Sequence, residues 1–218
     1  MIELADLGFE KGVIVETVVS TYDRDGQPNA APMGATMEQA QRVIFRIYKS
    51  SSTYSNLQTK RCAVVNLTSN TEVFYRTAFK EANPEGKIPA RWFEKAATVA
   101  APRLRAANAH VEVTVVDVAN LDGEKAGITC EAKLVHAATV LPQAYCRASF
   151  AAIEAIIHAT RVKHFLMQGD REKQEQALDL LEKIRDCQDV VNHVAPNSRY
   201  SEIMADLTRR IDSWRAEK

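Results

Sequence analysis

Two periodicities divide the chain. From Val13 to about Val140, apolar and β-branched residues come in short strand-like runs; after Pro142 they recur at helical spacing. The run Val13–Tyr22 leads into Asp23-Arg-Asp-Gly26, a tight-turn signal because glycine accepts the positive φ that a hairpin needs. A second extended run covers Gln27 to Met37, where Pro28 and Pro32 call for an edge or a bulge. Further strands are predicted at Arg42–Tyr48, Cys62–Leu67, His110–Ala119 and Ala126–Val140. In the third of these, Val111, Val113 and Val115 share one face, and Leu121–Glu124 forms the turn that follows. Between strands, Ser51–Lys60 reads as one or two helical turns with a hydroxyl-rich start, and Thr71–Phe79 as a helix. Lys80 to Pro102 reads as loop, punctuated by Pro84, Gly86, Pro89 and Pro102.

Beyond Pro142, Phe150, Ile153, Ile156, Ile157 and Phe165 form the apolar stripe of a helix over about Ala144–Met167, with Gly169 to stop it. Asp170 is placed to cap a second helix with the stripe Leu178, Leu181, Ile184 and Val191. Asn197 or Ser198 is placed to cap a third, which turns Ile203, Leu207, Ile211 and Trp214 inward. The expected class is α+β and mainly β: an antiparallel domain of six or seven strands over residues 1–142, then about three helices over 143–218. No Gly/Ser-rich spacer separates them, so residue 142 is expected to divide layers that pack together.

The 218 residues carry 28 Lys+Arg against 28 Asp+Glu, a balance that argues against nucleic-acid binding by a basic footprint. No apolar stretch is long enough to span a membrane, and Glu3, Asp6 and Glu10 occupy the place of an export leader, so a cytoplasmic location is expected. Cys62, Cys130, Cys146 and Cys187 have neither CxxC nor zinc-ligand spacing and are expected to be free thiols. The five histidines are scattered, with no metal-binding pattern.

Three groups of residues offer chemistry. In Arg46-Ile-Tyr-Lys49-Ser50-Ser51-Ser52-Thr53, four consecutive hydroxyl residues open a helix straight after a strand that ends in cations. Free N–H groups and the positive end of a helix dipole suit a phosphate there; the plainer reading is a solvated cap. In Asp25-Gly26-Gln-Pro28-Asn29-Ala-Ala31-Pro32-Met33-Gly34, small residues and prolines allow close approach of a flat ligand, with Asn29 able to donate and accept; a bulged edge strand is the alternative. Glu154, His158 and Arg161 lie at i, i+4 and i+7 on one helical face, as a weak candidate for proton chemistry or as a polar network that orients the helix. Trp92 and Trp214 are aromatic enough to stack on a ring, although Trp214 completes a packing stripe.

The series Glu16-Thr17…Asp25-Gly26-x-Pro28-Asn29-x-Ala31-Pro32-Met33-Gly34…Lys49-x-Ser51-x-Thr53-x-x-Asn56-Leu57…Val64-Val-Asn66 resembles the flavin-binding split-barrel proteins. These include flavin reductases and, more distantly, pyridoxamine-phosphate-oxidase-like proteins. With Arg147-Ala-x-x-Ala151-x-Ile153-Glu154-Ala155-x-x-His158-Ala159-Thr160-Arg161, the chain is most similar to an uncharacterised family of split barrels with a helical C-terminal extension. The resemblance implies an antiparallel split β-barrel whose helical extension packs on the barrel or on a partner subunit. It implies a homodimer with FMN at or near the subunit interface. It places the phosphate at Lys49, Ser50, Ser51, Ser52 and Thr53 with Arg46 nearby, lines the isoalloxazine with Asn29, Ala31, Pro32 and Met33, and lets Asn56 and Asn66 support the site. The implied activity is that of a flavin-reductase-like oxidoreductase. A nicotinamide or other small-molecule substrate would bind without a GxGxxG fingerprint, which this chain lacks. Two alternatives remain open: a non-catalytic flavin-binding or dimeric interaction module, and a barrel for haem or another phosphate-bearing cofactor, with His158 or His193 as ligand.

Overall fold

Strands β1 (Ile14–Tyr22) and β2 (Pro28–Gln39) form the hairpin that the Asp23–Gly26 turn dictates. The Asp23 carboxylate accepts from the N–H groups of Asp25 and Gln27 at 2.9 and 2.8 Å, and Gly26 takes φ +80°. The computed structural model describes residues 2–139, 146–168 and 170–216. After β2 come β3 (Arg42–Tyr48), α1 (Ser52–Lys60), β4 (Cys62–Leu67), α2 (Thr71–Ala78), β5 (Phe93–Lys95), β6 (Pro102–Leu104), β7 (Ala109–Asn120) and β8 (Lys125–Ala137). Helices α3 (Arg147–Gln168), α4 (Arg171–Val194) and α5 (Arg199–Ala216) complete the chain.

Among the described residues, six strands close an antiparallel barrel in the order β1-β2-β3-β8-β7-β4, with β4 returning to β1. Side chains alternate across each strand, so Val19, Ala35, Val43, Phe45, Ala63, Val65, Val111, Val113 and Ile128 all point into one core and are fully buried. Leu57 of α1 is part of the same core. Each of the valine, isoleucine, leucine and phenylalanine side chains contributes about 1.5–3 kcal/mol relative to exposure. This is the α+β class with the antiparallel barrel that the sequence predicts, although the long C-terminal helices put more residues into helix than into strand.

Strand β4 is buried on both faces, which explains its nearly unbroken apolar run. Its outer face at Cys62 and Val64 is covered by Ala96, Val99 and Ala101, the link between β5 and β6, which form a short antiparallel pair inside the segment that the sequence assigns to loop. Propensity does not reveal two three-residue strands; they exist because this segment has a sheet face to cover. The outermost ends of the predicted strands also shift by a residue or two, and the last strand, expected to run to Val140, ends at Ala137, with Val140 itself outside the described residues.

The chain divides into two compact units. The barrel unit comprises Met1–Thr68 and Lys80–Leu141; the helical unit comprises Ser69–Phe79 and Pro142–Lys218. The helical unit thus takes in α2, which a contiguous division at residue 142 leaves with the barrel. Within it, the Phe79 ring lies 5.6 Å from that of Trp214, and Arg199 forms a two-pronged pair with Glu72 at 2.7 and 2.8 Å. Tyr75 donates to Asp206, whose carboxylate also accepts from Arg210 at 2.9 Å.

The predicted helix faces need two corrections. Leu178 is 57% exposed and Leu181 is half-buried; Ile184 and Val191 are buried as expected, joined by Ala177 and Leu180, which share their face at i, i+3, i+7 and i+14. Phe150, read as part of the α3 stripe, is 47% exposed, whereas Ile153, Ile156, Ile157 and Phe165 are buried. Ser198 caps α5: its N–H donates to Ser201 Oγ at 2.9 Å, and its Oγ accepts from the Ser201 N–H at 3.4 Å. The proposed stop at Gly169 and the helix start at Ala144 lie outside the described residues. No described helix is long and apolar enough to cross a membrane.

Candidate functional site

The turn from β3 into α1 has the architecture of an anion site. Ser51 is the N-cap: its Oγ accepts from the Tyr54 N–H at 3.2 Å and donates to the Tyr48 carbonyl at 2.8 Å. That hydroxyl is therefore committed to holding the helix start. The next two N–H groups, of Ser52 and Thr53, belong to the first turn, where a helix offers them no acceptor of its own and where its positive end lies. Ser50 and Ser52 are exposed, while Thr53 is buried.

Beside this turn stands a chain of polar side chains. Asn29 Nδ2 donates to Thr53 Oγ1 at 3.3 Å, and the Lys80 ammonium donates to Asn29 Oδ1. Lys80 is half-buried, and burial holds its pKa below the ordinary lysine value, an effect that neighbouring Glu81 partly offsets. Lys80 is invisible to sequence reading: it follows a helix, opens a loop, and lies 51 positions from Asn29. Asn56 is buried behind the turn and donates to Thr21 Oγ1 at 2.9 Å.

The cations singled out in the sequence are placed differently. Lys49 Nζ donates to Asn120 Oδ1 and the Asp122 carbonyl at 2.5 Å each and to the Gly123 carbonyl at 3.4 Å, tying it to the β7–β8 turn. Arg46 is exposed on β3, with Gly127 of β8 as its neighbour in register. On β2, Ala31 and Met33 pair with Val19 and Thr17, and Met33 packs against the barrel core. Ala31, Pro32 and Met33 are all half-buried, with Pro32 on the opposite face of the strand from its two neighbours.

Asn66 turns toward the β5–β6 pair. Its Nδ2 donates to the Val18 carbonyl and to Ser20 Oγ at 2.8 Å each, and its Oδ1 accepts from the Leu104 N–H at 2.8 Å. Ser20 Oγ donates to the Pro102 carbonyl at 2.5 Å. Glu112, fully buried on β7, accepts from the N–H groups of Ala97 and Thr98 at 2.7 and 2.5 Å and from Thr98 Oγ1 at 2.6 Å. Burial alone would raise the Glu112 carboxyl, but the Thr98 and Ala97 donors outweigh it and hold the group below its usual range. Three polar side chains of the barrel wall thus clamp the segment over β4. His110 Nε2 lies 3.7 Å from this carboxylate, and burial, aided by Arg103 and His136, lowers its pKa.

In the helical unit, Glu154 and His158 do pair, at 3.3 Å, while Arg161 is exposed. Burial lowers the His158 pKa, opposed by Glu154 and assisted by Arg161 and Lys183. His193 is exposed in the last turn of α4. Trp214 packs on Phe79 with the Lys163 ammonium 5.2 Å from its ring, a packing role. Cys62, Cys130, Cys146 and Cys187 are free, and burial pushes the Cys130 thiol up to about 12. No three His, Cys, Asp or Glu side chains converge as a metal site among the described residues.

Comparison with known proteins supplies the wider context. No curated protein matches the sequence. The fold is similar to that of an FMN-bound protein of the DUF447 family from Methanosarcina mazei, 23% identical, with 94% of this chain and 98% of that one covered at a TM-score of 0.72. It is also similar to nitrilotriacetate monooxygenase component B from Bacillus cereus, 16% identical, with 61% and 75% covered at a TM-score of 0.50. The first likeness runs through barrel and helices alike, and the second spans a smaller share of the chain. The model for the N-terminal domain of a protein of unknown function, DUF447, matches residues 15–140, which is the barrel from β1 to beyond β8, and the chain belongs to that family.

Proposed function

We propose that this protein binds FMN in the barrel unit and acts as a flavin-reductase-like oxidoreductase. The observation that supports it most is the β3–α1 turn, where the Ser52 and Thr53 N–H groups, the Thr53 hydroxyl, Asn29 and a half-buried lysine are grouped on one barrel rim. The donor set fits a phosphate ester: unpaired helix N–H groups, neutral hydroxyls and one cation. The FMN-bound relative has the same fold over nearly its whole length.

In this reading Ser51 holds the helix start so that the first-turn N–H groups face the phosphate, and Asn56 stiffens the turn through Thr21. Asn29 presents its amide, and β2 presents Ala31 and Pro32 as a close-fitting edge for the ring. FMN supplies hydride or single-electron chemistry when bound; the chain supplies orientation and polarity. A homodimer, with the partner completing the flavin's surroundings, is part of the same proposal, as are a nicotinamide or other small-molecule reductant and a cytoplasmic location.

The test is an absorption spectrum of the purified protein before and after incubation with excess FMN and removal of the unbound fraction, followed by aerobic NADH and NADPH oxidation. A retained flavin envelope with nicotinamide oxidation above that of free FMN supports the full proposal. Retained flavin without turnover under any reductant reduces it to a flavin-binding module. A colourless protein after incubation refutes it, and a Soret band moves the reading to haem.

A further inference from the structure

We infer that Lys80 supplies the positive charge that meets the flavin phosphate, a role that the sequence offers to Lys49 and Arg46. The inference rests on the FMN reading above and names a residue that the family resemblance does not.

The first argument is the state of the Lys80 side chain. An ammonium has three donors, and among the described residues the acceptor that Lys80 reaches is Asn29 Oδ1, a neutral amide oxygen. A half-buried cation has lost part of its hydration; the Asn29 oxygen and the charge of neighbouring Glu81 replace part of it, and the net effect of burial still disfavours the charged form. Such a group is completed by an anion arriving beside it. Burial already weakens its hold on the proton, so an anion that binds there also restores the charged form.

The second argument is position. The Asn29 amide contacts Lys80 through its oxygen and Thr53 Oγ1 through its nitrogen, at 3.3 Å for the latter. One amide therefore spaces the ammonium from the first turn of α1. That puts the ammonium one side-chain amide away from Thr53, whose N–H belongs to the first turn of α1.

The third argument is what the other cations do. Lys49 directs its donors to Asn120, Asp122 and Gly123, and turning it toward a ligand would break those bonds and release the β7–β8 turn. Arg46 is exposed, where water and salt screen its charge.

The test compares FMN with riboflavin, which shares the ring and lacks the phosphate. Dissociation constants for both are measured by flavin fluorescence quenching with the wild-type protein, Lys80→Gln, Lys80→Arg and Lys49→Gln at fixed ionic strength. Lys80→Gln is expected to weaken FMN at least about tenfold, the scale of one lost charge-assisted contact, with riboflavin within about twofold. Lys80→Arg is expected to restore much of the FMN preference. Three outcomes overturn the inference while leaving FMN binding intact: an unchanged FMN-to-riboflavin ratio in Lys80→Gln, an equal loss of both ligands, or a loss that follows Lys49→Gln instead. A wild-type protein that binds neither flavin overturns the FMN reading and this inference together. Matching unfolding midpoints for wild type and Lys80→Gln separate lost binding from lost folding.

Discussion

Glu112→Gln is the sharpest probe of how the barrel holds the segment over β4. The carboxylate receives three hydrogen bonds, from the Ala97 and Thr98 N–H groups and the Thr98 hydroxyl, on two oxygens that are fully buried. Glutamine keeps the volume but exchanges one oxygen for an NH2 group. Whichever way the amide turns, a donor then faces a backbone donor. One charge-assisted bond, worth about 1.5–3 kcal/mol, is lost, and a buried N–H is left unmatched, so a cost of about 2–4 kcal/mol is expected. The midpoint of thermal unfolding of the barrel should fall by roughly 5–15 °C. Trp92 reports on the hairpin region, since its carbonyl accepts from the Arg105 N–H at 2.9 Å. In a Trp214→Phe background it is the remaining tryptophan of the two, and its fluorescence follows the covering segment. Proteolytic cleavage within residues 96–101 should accelerate alongside. The pH dependence has a definite sign. The folded carboxyl titrates below the ordinary 4.5, so the wild-type advantage over Glu112→Gln is complete above that value and disappears as pH falls through the folded pKa. Equal stability and equal proteolysis of the two proteins at neutral pH would refute the clamp.

Other consequences are measurable with less effort. Ser51→Ala removes the N-cap of α1 and should cost about 1 kcal/mol in chemical denaturation while weakening FMN retention, since the first turn loosens. Trp214→Ala opens a hole beside Phe79 and should destabilise the helical unit by about 2–4 kcal/mol, read as loss of far-UV helical signal at lower denaturant. Leu178→Lys, on the exposed side of α4, should leave stability within about 0.5 kcal/mol, whereas Leu180→Ala should cost about 2–4 kcal/mol. FMN affinity should decline as pH rises through the depressed Lys80 pKa, because the phosphate favours the charged ammonium and binding then takes up a proton; a flat profile up to the ordinary lysine range would count against Lys80.

What the amino-acid order determined by itself is local. The Asp23–Gly26 hairpin turn, the Ser51 cap, the Asp170 cap of α4 and the alternation that turns Val111, Val113 and Val115 inward are settled within a few residues. Their energies come from short-range hydrogen bonds and from a period matched to one face, so sequence reading reaches them. The phosphate-like turn was legible for the same reason. Barrel closure decided the rest. It covered the outer face of β4 and so gave a loop-like segment two short strands to form, held by Ser20, Asn66 and Glu112. It engaged Lys49 with a turn more than seventy residues away and delivered Lys80 to Asn29 across 51 positions. Helix packing in the second unit selected Ala177 over Leu178 and grouped α2 with α3 and α5. Each of these depends on a partner surface that exists only after distant segments meet, and a lone lysine, glutamate or asparagine carries no periodic signal of the partner it will find.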